Sequence, residues 1–373
     1  MRWYRLTPVP GLPGDPEGSG SPRAINGGGE IAGSIGPRVA RWDADLTPHV
    51  LTFPGTYAFA TGINASGSIA VNVDEDGKPR RAFAYHAGAV VDISAKLPAV
   101  ASTAEDVNDA GVVVGTVTTA SGDRPYLYQL TTGVVTLLPP LPGHDSAAGV
   151  AINNLGHVVG GSRKGDKGRA VLWRNGAVID LGTAVSYVDV NDADLVVGHR
   201  DDPQRVWVPC WADASGTTVP TVVDIAAKAD SATAVNNKGA VIGAGVVGAI
   251  PVQAFVHLPP GEDEPGTILL AGRVEDFPDL KIQRLRDVND AGLIVGGADG
   301  VGGFVLRPYD RLPDVEEDLK TLVLLFGAAI NDGGGWGLLA GGGRVPIPPH
   351  EWNQLSQTEK EQYVAAAVRD LQR

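Results

Sequence analysis

Three charged stretches hold most of the side chains that could bind a ligand or take part in acid–base chemistry. They are residues 74–81, 163–169 and 199–205, and each lies between the second and third predicted strands of a repeated unit. Loops of this kind in a repeated fold emerge on one face, where ligands and partners commonly bind. They are predicted to contact a partner or a small ligand, with ordinary solvated loops as the alternative. The candidate residues are Asp74, Asp76, Arg81, Arg163, Lys164, Arg169, His199, Arg200, Asp201 and Arg205.

Known catalytic and cofactor motifs are missing or stand in the wrong context. Residues 243–248 match G-x-G-x-x-G, but a strand pattern follows instead of the helix that a dinucleotide site needs. The seven histidines show no metal-ligand spacing, Cys210 is the single cysteine, and there is no G-x-S-x-G nucleophile elbow. We therefore predict no metal and no cofactor, and the motifs identify no catalytic residue.

Composition narrows the class of protein. The 373 residues include 50 Gly and 27 Pro, which favours many turns over long helices. A formal net charge of −13 with no basic stripe argues against nucleic-acid binding. The N-terminal residues lack the apolar run of a secretory signal, and no apolar run is long enough to span a bilayer. We expect a cytoplasmic, monomeric protein that binds no membrane.

A hydrophobic–Asn pair recurs seven times at spacings of 38 to 53 residues. A Gly that follows the Asn by two or three residues in most copies indicates a tight turn. About 20 residues after the Asn, the middle copies place an aromatic residue or His257 and then a β-branched run. The asparagines are Asn26, Asn64, Asn108, Asn153, Asn191, Asn236 and Asn289. Six copies also have a glycine seven residues after the Asn, which predicts a β-bulge or close strand approach: Gly33, Gly115, Gly160, Gly198, Gly243 and Gly296.

Units of this length with four short strands are typical of a β-propeller. The seventh copy lacks its outer strand, and residues 2–9 form an unassigned strand that can supply it. We therefore predict an all-β, seven-bladed propeller over residues 1–308, closed by the N-terminal strand so that no free sheet edge remains. Eight blades are the alternative, because Asn331 and Trp352 repeat the internal spacing once more.

The repeat also resembles a known bacterial family. Residues 151–160 read Ala-Ile-Asn-Asn-Leu-Gly-His-Val-Val-Gly, an Ala-Phe pair stands at 82–83 and 254–255, and Val-Ile-Asp-Leu-Gly ends at Gly182. This pattern is similar to the HAF repeat, named for a His-Ala-Phe triplet, although Arg81 and Gln253 stand where the histidine would be. The resemblance covers residues 1–308. It implies a propeller and no particular catalytic residues.

Residues 309–373 do not follow the repeat. Their spacing predicts a helix, a glycine-rich loop and a second helix that opens with the capping box Ser-Gln-Thr-Glu at 356–359. The glycine-rich stretch 329–344 is followed by prolines instead of a helix, so we predict a degenerate repeat turn or a tight connector between helices, and not a phosphate-binding loop. We expect this tail to pack on the propeller or on a partner. The predicted contact residues are Leu322, Phe326, Trp336, Trp352 and Tyr363.

Two function hypotheses follow from this pattern. The first is a non-catalytic binding or scaffold module that engages a protein partner through a propeller face or the tail. The second is a hydrolase or lyase with its site at the mouth of the channel. The missing catalytic motifs favour the first hypothesis, although the fold supports both. A channel lined by histidines and carboxylates with shifted pKa values would favour the second.

Overall fold

The computed structural model describes residues 2–12, 20–98, 100–183, 185–201, 207–216, 218–225, 229–244, 254–262, 264–275, 277, 280–310 and 356. The chain separates into two compact units, residues 4–308 and residues 1–3 with 309–373. The two tail helices and the five tail contact residues predicted above lie outside the described residues, as does Arg205. No helix within the described residues is long and apolar enough to cross a bilayer.

The described residues contain twenty-eight β-strands and one 3₁₀-helix, Ser94–Lys96. The first fourteen strands are β1 (Arg2–Pro8), β2 (Ser21–Ile25), β3 (Ile31–Ile35), β4 (Arg38–Trp42), β5 (Pro48–Leu51), β6 (Tyr57–Ile63), β7 (Ile69–Asp74), β8 (Arg81–His86), β9 (Ala89–Asp92), β10 (Ala101–Val107), β11 (Val112–Thr119), β12 (Gly122–Gln129), β13 (Val135–Leu137) and β14 (Ser146–Ile152). The others are β15 (Val158–Lys164), β16 (Lys167–Arg174), β17 (Ala177–Gly182), β18 (Val185–Val190), β19 (Leu195–Asp201), β20 (Trp207–Asp213), β21 (Val223–Asp224), β22 (Ser231–Val235), β23 (Val241–Ala244), β24 (Phe255–Leu258), β25 (Gly266–Leu269), β26 (Ile282–Val288), β27 (Ile294–Ala298) and β28 (Gly302–Asp310).

These strands form seven four-stranded sheets, the blades of a β-propeller. Blades 1 to 6 each use four consecutive strands, from β2–β5 to β22–β25, paired antiparallel. Blade 7 has the order β26-β27-β28-β1, which confirms that the N-terminal strand completes the last blade. The side chain of Asn289 in blade 7 donates a hydrogen bond to the Asn26 carbonyl in blade 1. The ring therefore closes after seven blades, and the eight-bladed alternative is wrong.

Apolar side chains fill the space between neighbouring blades. The aromatic positions found by spacing belong to this packing: Trp42 and Trp173 are buried, and their indole N–H groups donate to the carbonyls of Pro10 and Pro139 at 2.8 and 2.6 Å. Buried indoles need such a partner for their N–H group. His257 takes the same position in blade 6, where it is half-buried and contacts Thr267 Oγ1 at 3.0 Å. These residues hold the blades together and do not form a site.

The innermost strand of every blade contains a β-bulge three residues before the repeated Asn. The bulge brings a carbonyl of the inner strand close to the second strand at the predicted glycine position. At all six glycines a Cβ atom would lie far inside van der Waals contact with that carbonyl oxygen, as at Gly160 with Ala148. The predicted close approach is thus confirmed, and Val71 takes the place of the glycine in blade 2.

Candidate functional site

The seven repeated asparagines are buried and form one closed ring around the axis. Each Nδ2 donates to the main-chain carbonyl of the asparagine in the next blade, at 2.9 to 3.0 Å. Each Oδ1 accepts main-chain N–H groups of its own turn, as Asn236 does from Lys238 and Ala240. The same side chain therefore shapes the turn and links two blades. We call the end of the propeller that carries these turns the asparagine face.

Three aspartates reinforce this ring from inside the channel. They stand two residues before the Asn in blades 3, 5 and 7: Asp106, Asp189 and Asp287. In each, one carboxylate oxygen accepts the next N–H group of its own strand, and the other accepts the equivalent N–H group of the following blade, all at 2.7 to 3.1 Å. Blades 1, 2, 4 and 6 have Ala or Gly at this position. Each carboxylate thus accepts hydrogen bonds from two neighbouring blades, and the three carboxylates together bind six of the seven blades.

Burial changes the proton affinity of these carboxyl groups. It raises the pKa of Asp106 to about 6 and that of Asp189 to about 8, and it also raises the pKa of Asp287. The main-chain N–H donors act in the opposite direction but are outweighed, and the negative charges of Asp106 and Asp287 raise the pKa of Asp189 further. The three groups therefore interact across the axis. Desolvation is the dominant cause, because the ionised form loses its hydration inside the channel.

The raised pKa values predict that the protein becomes less stable as the pH rises. A carboxyl whose folded pKa exceeds its unfolded value of 3.8 stabilises the fold while protonated, and this contribution is lost as the pH rises through the folded value. His199 and His257 have lowered pKa values and act in the opposite direction, but only below about pH 6.5. We expect the free energy of unfolding, measured by urea titration, to fall between pH 6.5 and 8.

The variant Asp189→Asn isolates the contribution of this carboxyl. It keeps one oxygen acceptor but cannot ionise, so the decrease between pH 6.5 and 8 should become clearly smaller. The absolute stability of the variant is expected to be lower, because one main-chain N–H group loses its acceptor. An unchanged slope would show that Asp189 is already ionised at pH 6.5.

The bulge residues form a second row along the channel wall. They lie on the innermost strands, so their exposed surface faces the channel; an electrostatic interaction between Arg23 of blade 1 and Glu105 of blade 3 crosses it. The seven residues are Arg23, Thr61, Glu105, Val150, Val188, Thr233 and Arg286. The channel wall is therefore basic at blades 7 and 1, acidic at blade 3 and apolar at blades 4 and 5.

Two cavities open from this inner region. A cavity of about 250 Å³ lies at the asparagine face and is lined by the three aspartates and the asparagine turns of all seven blades. A larger one, about 510 Å³, lies near the opposite end of the inner strands of blades 4 and 5. We call it the blade 4–5 cavity. Its wall includes Arg163, Arg169 and Asp201, together with Asp123 from blade 3.

The structure brings only some of the predicted binding residues together. Arg163, Arg169 and Asp201 share the blade 4–5 cavity, whereas Asp74, Asp76 and Arg81 belong to blade 2 and do not line it. Lys164 is exposed beside Arg163, outside the cavity wall. His199 packs its ring against Trp207 at 4.8 Å, and burial lowers its pKa.

Several of the predicted arginines are already paired inside their own blades. Arg81 pairs with Asp92, Arg169 with Asp180 at 2.6 Å, and Arg200 with Asp224 at 2.5 Å. In each pair the aspartate belongs to the β-branched run of the outer strand. Asp74 likewise accepts from Arg80 at 2.7 Å. These groups link strands within a blade, whereas the side chains of Arg163 and Lys164 form no hydrogen bond or ion pair with the other described residues.

Within the described residues, the Ser162–His144 pair does not form a nucleophilic site. Ser162 Oγ lies 3.0 Å from His144 Nδ1, but Ser162 is fully buried and accepts the N–H group of Leu141. A serine nucleophile needs an accessible hydroxyl and an oriented base. Within the described residues no three His, Cys, Asp or Glu side chains are placed to hold a metal ion.

A buried ionic cluster joins blades 4 and 5. Asp194 accepts from Arg174 Nη1 at 2.9 Å and lies 2.7 Å from His157 Nδ1. It occupies the turn position that is glycine in the other six blades, with a left-handed φ of 58°. Arg174 and His157 hold this strained residue in place. Arg174 also donates to three carbonyls at 214–216, so the cluster is structural.

Comparison with known proteins supports the fold but identifies no family for this chain. No family model matches the chain, and no curated protein matches its sequence. Among solved structures, streptogramin B lyase is similar with 10% identity and a TM-score of 0.52, over 82% of this chain and 98% of that one. Puromycin hydrolase has 14% identity and a TM-score of 0.50, over 78% and 53%, so the chain spans about half its length.

The β-propeller domain of the Trilobed protease from Pyrococcus furiosus has 11% identity and a TM-score of 0.49, over 82% of this chain and 93% of that domain. At such low identity, the likeness to streptogramin B lyase and puromycin hydrolase concerns the architecture alone. The seven four-stranded sheets show that the chain is a β-propeller.

Sequence reasoning missed the three channel aspartates and the arginines of the bulge row. The aspartates had a visible signal, the triplet Asp-Val-Asn at 106–108, 189–191 and 287–289. The sequence signal for the bulge residues is weaker: Arg23 and Arg286 stand at the same offset, three residues before the Asn. The role of these aspartates and arginines depends on the closed ring, which places residues of distant blades beside one axis.

Proposed function

We propose that this chain is a non-catalytic binding propeller that takes an acidic segment of a protein partner in the blade 4–5 cavity. The observation that supports this is Arg163, an exposed arginine in the wall of a cavity of about 510 Å³ that has no ion-pair partner among the described residues. A guanidinium group in such a position is well suited to bind a carboxylate through two parallel hydrogen bonds.

The rest of the cavity suits an extended peptide. Gly160, Gly161 and Gly168 lie in its wall, so a bound chain can approach the main chain closely. Asp123 and Asp201 lie in the wall as well and can accept main-chain N–H groups of the guest. Arg169 is paired with Asp180 and serves as a fixed part of the wall. Arg163 is then the residue that selects the acidic side chain of the partner.

The test compares a charge-reversal variant of Arg163 with a matched control variant of Lys164. Intact wild-type chain, Arg163→Glu and Lys164→Glu are immobilised and exposed to lysate of the source cells, and the retained proteins are quantified by mass spectrometry. The two variants change charge equally at adjacent exposed residues, but only Arg163 lines the cavity. We expect a protein retained by the wild type and Lys164→Glu to fall at least about 10-fold with Arg163→Glu, the loss of one charged hydrogen-bonded contact. Equal retention by all three chains would refute the proposal.

A hydrolase or lyase with its site in the channel is the second candidate. The carboxyl groups with raised pKa values favour it, because Asp189 with a pKa of about 8 carries a proton at neutral pH as a general acid must. Against it, both oxygens of each aspartate accept main-chain N–H groups. Turnover of an ester, lactone or amide substrate that is abolished by Asp189→Asn in a folded protein would favour this candidate.

Other features of the proposal rest on the sequence. The resemblance to the HAF repeat implies a propeller and no catalytic residue, and it stays a prediction. A protein partner for the tail residues 309–373, a cytoplasmic location and a monomeric state stay predictions. Size-exclusion chromatography with light scattering of the intact chain tests the last of these.

A further inference from the structure

Three arginines lie together on one side of the channel, apart from the blade 4–5 cavity. Arg286 and Arg23 occupy the bulge positions of blades 7 and 1, and Arg284 lies two residues before Arg286 on β26. Blades 7 and 1 are neighbours in the closed ring, so the two bulges are adjacent. We call these three residues the channel arginines.

The channel arginines lack direct counter-charges. No hydrogen bond or ion pair joins any of the three guanidinium groups to another described residue. Glu105 and Asp287 act on Arg23 electrostatically, but without a direct contact. On the third strands of blades 2 and 4, by contrast, Arg81 and Arg169 are paired with aspartates of their own blades. The channel arginines, like Arg163, have no such partner among the described residues.

Their proximity has an electrostatic cost. Burial lowers the pKa of Arg286 to about 10, and the positive charges of Arg23 and Arg284 lower it further. Burial is also the main cause of the lowered pKa of Arg23, to which Arg284 contributes. Arg286 is half-buried, whereas Arg23 and Arg284 are exposed. Like charges held this close together destabilise the fold unless an anion offsets them. This is unexpected in a chain with a net charge of −13, where acidic partners are plentiful.

We propose that the channel arginines bind a small oxyanion, a carboxylate or a phosphate, on the axis of the propeller. Guanidinium groups from adjacent blades can surround such an anion, and their planar forks match the geometry of carboxylate and phosphate oxygens. The opposite wall, at blades 4 and 5, carries Val150 and Val188 at the same bulge positions. An uncharged part of the ligand would face these two valines.

The test measures binding of two simple probes to the intact chain. Isothermal titration with citrate and with pyrophosphate, at constant ionic strength in chloride, distinguishes a carboxylate site from a phosphate site. We expect one of the two to bind with a dissociation constant below 1 mM, on the order of what several charge-assisted hydrogen bonds give. Absence of binding of both at 10 mM, roughly ten times that value, would overturn the proposal.

Variants then assign the site. Thr stands at the bulge position in blades 2 and 6, so Arg286→Thr and Arg23→Thr are expected to fold. Each should weaken the tighter probe at least about 10-fold, since it removes one charged contact. The control Arg307→Gln removes one exposed positive charge from the third strand of blade 7 and should leave the affinity within about twofold. Equal weakening by the control would show that only the overall charge matters and would contradict the site.

A melting curve in chloride buffer provides an independent readout. Arg286→Thr removes a like charge from the group and should not lower the melting temperature in the absence of probe, whereas the wild type should gain several degrees on adding the tighter probe. A variant that melts lower and is still stabilised by the probe would contradict the proposal. None of these outcomes depends on the protein partner at Arg163, so the two proposals fail separately.

Discussion

Replacing Gly160 by alanine is expected to destabilise the protein by about 3 kcal/mol or more, the range of severe overpacking. A Cβ atom at this position would clash with the carbonyl oxygen of Ala148 and would lie 3.0 Å from the ring of Trp173. The carbonyl belongs to the bulged inner strand and cannot move without breaking the ladder between β14 and β15. Urea denaturation of both proteins gives the difference.

The neighbouring glycine is a matched control. At Gly161 the closest atom to a new Cβ would be the Arg169 carbonyl oxygen, at 3.9 Å, which is ordinary contact. Gly161→Ala should therefore change the free energy of unfolding by less than about 1 kcal/mol. If Gly160→Ala is as stable as Gly161→Ala, the close approach at the bulge is wrong, and with it the assigned cause of the glycine repeat.

Replacing Asn236 by alanine should cost about 3 kcal/mol, because it breaks one link of the asparagine ring and leaves buried groups unsatisfied. Its Nδ2 donates to the Asn289 carbonyl at 2.9 Å, and its Oδ1 accepts from Lys238 and Ala240 at 3.1 and 2.8 Å. The side chain is 5% exposed, so water cannot replace these partners. We expect the loss to appear as a lower denaturant midpoint.

Asn237 is the control for this variant. It is exposed and accepts one hydrogen bond, from the Asp192 N–H group at 2.9 Å. Asn237→Ala is expected to cost less than about 1 kcal/mol, since water can satisfy that donor. A third variant, Asn236→Asp, keeps the acceptor but loses the inter-blade donor. If it is as stable as the wild type, the ring bond contributes nothing.

Much of the propeller could be predicted because its repeat is local. The Asn turn, the glycine at the bulge and the aromatic position each depend on neighbours a few residues away, so the spacing reveals them in one copy after another. The pairing of residues 2–9 with the last blade followed from counting strands, since one copy was one strand short. The seven-bladed ring then follows from the number of asparagines.

The site could not be predicted in the same way. The sequence predicts the asparagines as turn residues only. In the structure, Nδ2 of each also contacts a residue 38 or more positions away, and only the closed ring brings the two together. The same holds for Arg23 and Arg286, which are distant in sequence and adjacent in space. The charged stretches predict a binding surface, yet Arg81, Arg169 and Arg200 form pairs with aspartates of the outer strand.

The central claim is that this propeller binds a partner through Arg163 and does not catalyse a reaction in its channel. The most direct measurement compares the proteins retained by the wild type, Arg163→Glu, Lys164→Glu and Asp189→Asn. We expect one partner to be lost with Arg163→Glu and kept by the other three. Retention of the same proteins by all four chains, or loss of the partner with Asp189→Asn instead, would contradict it.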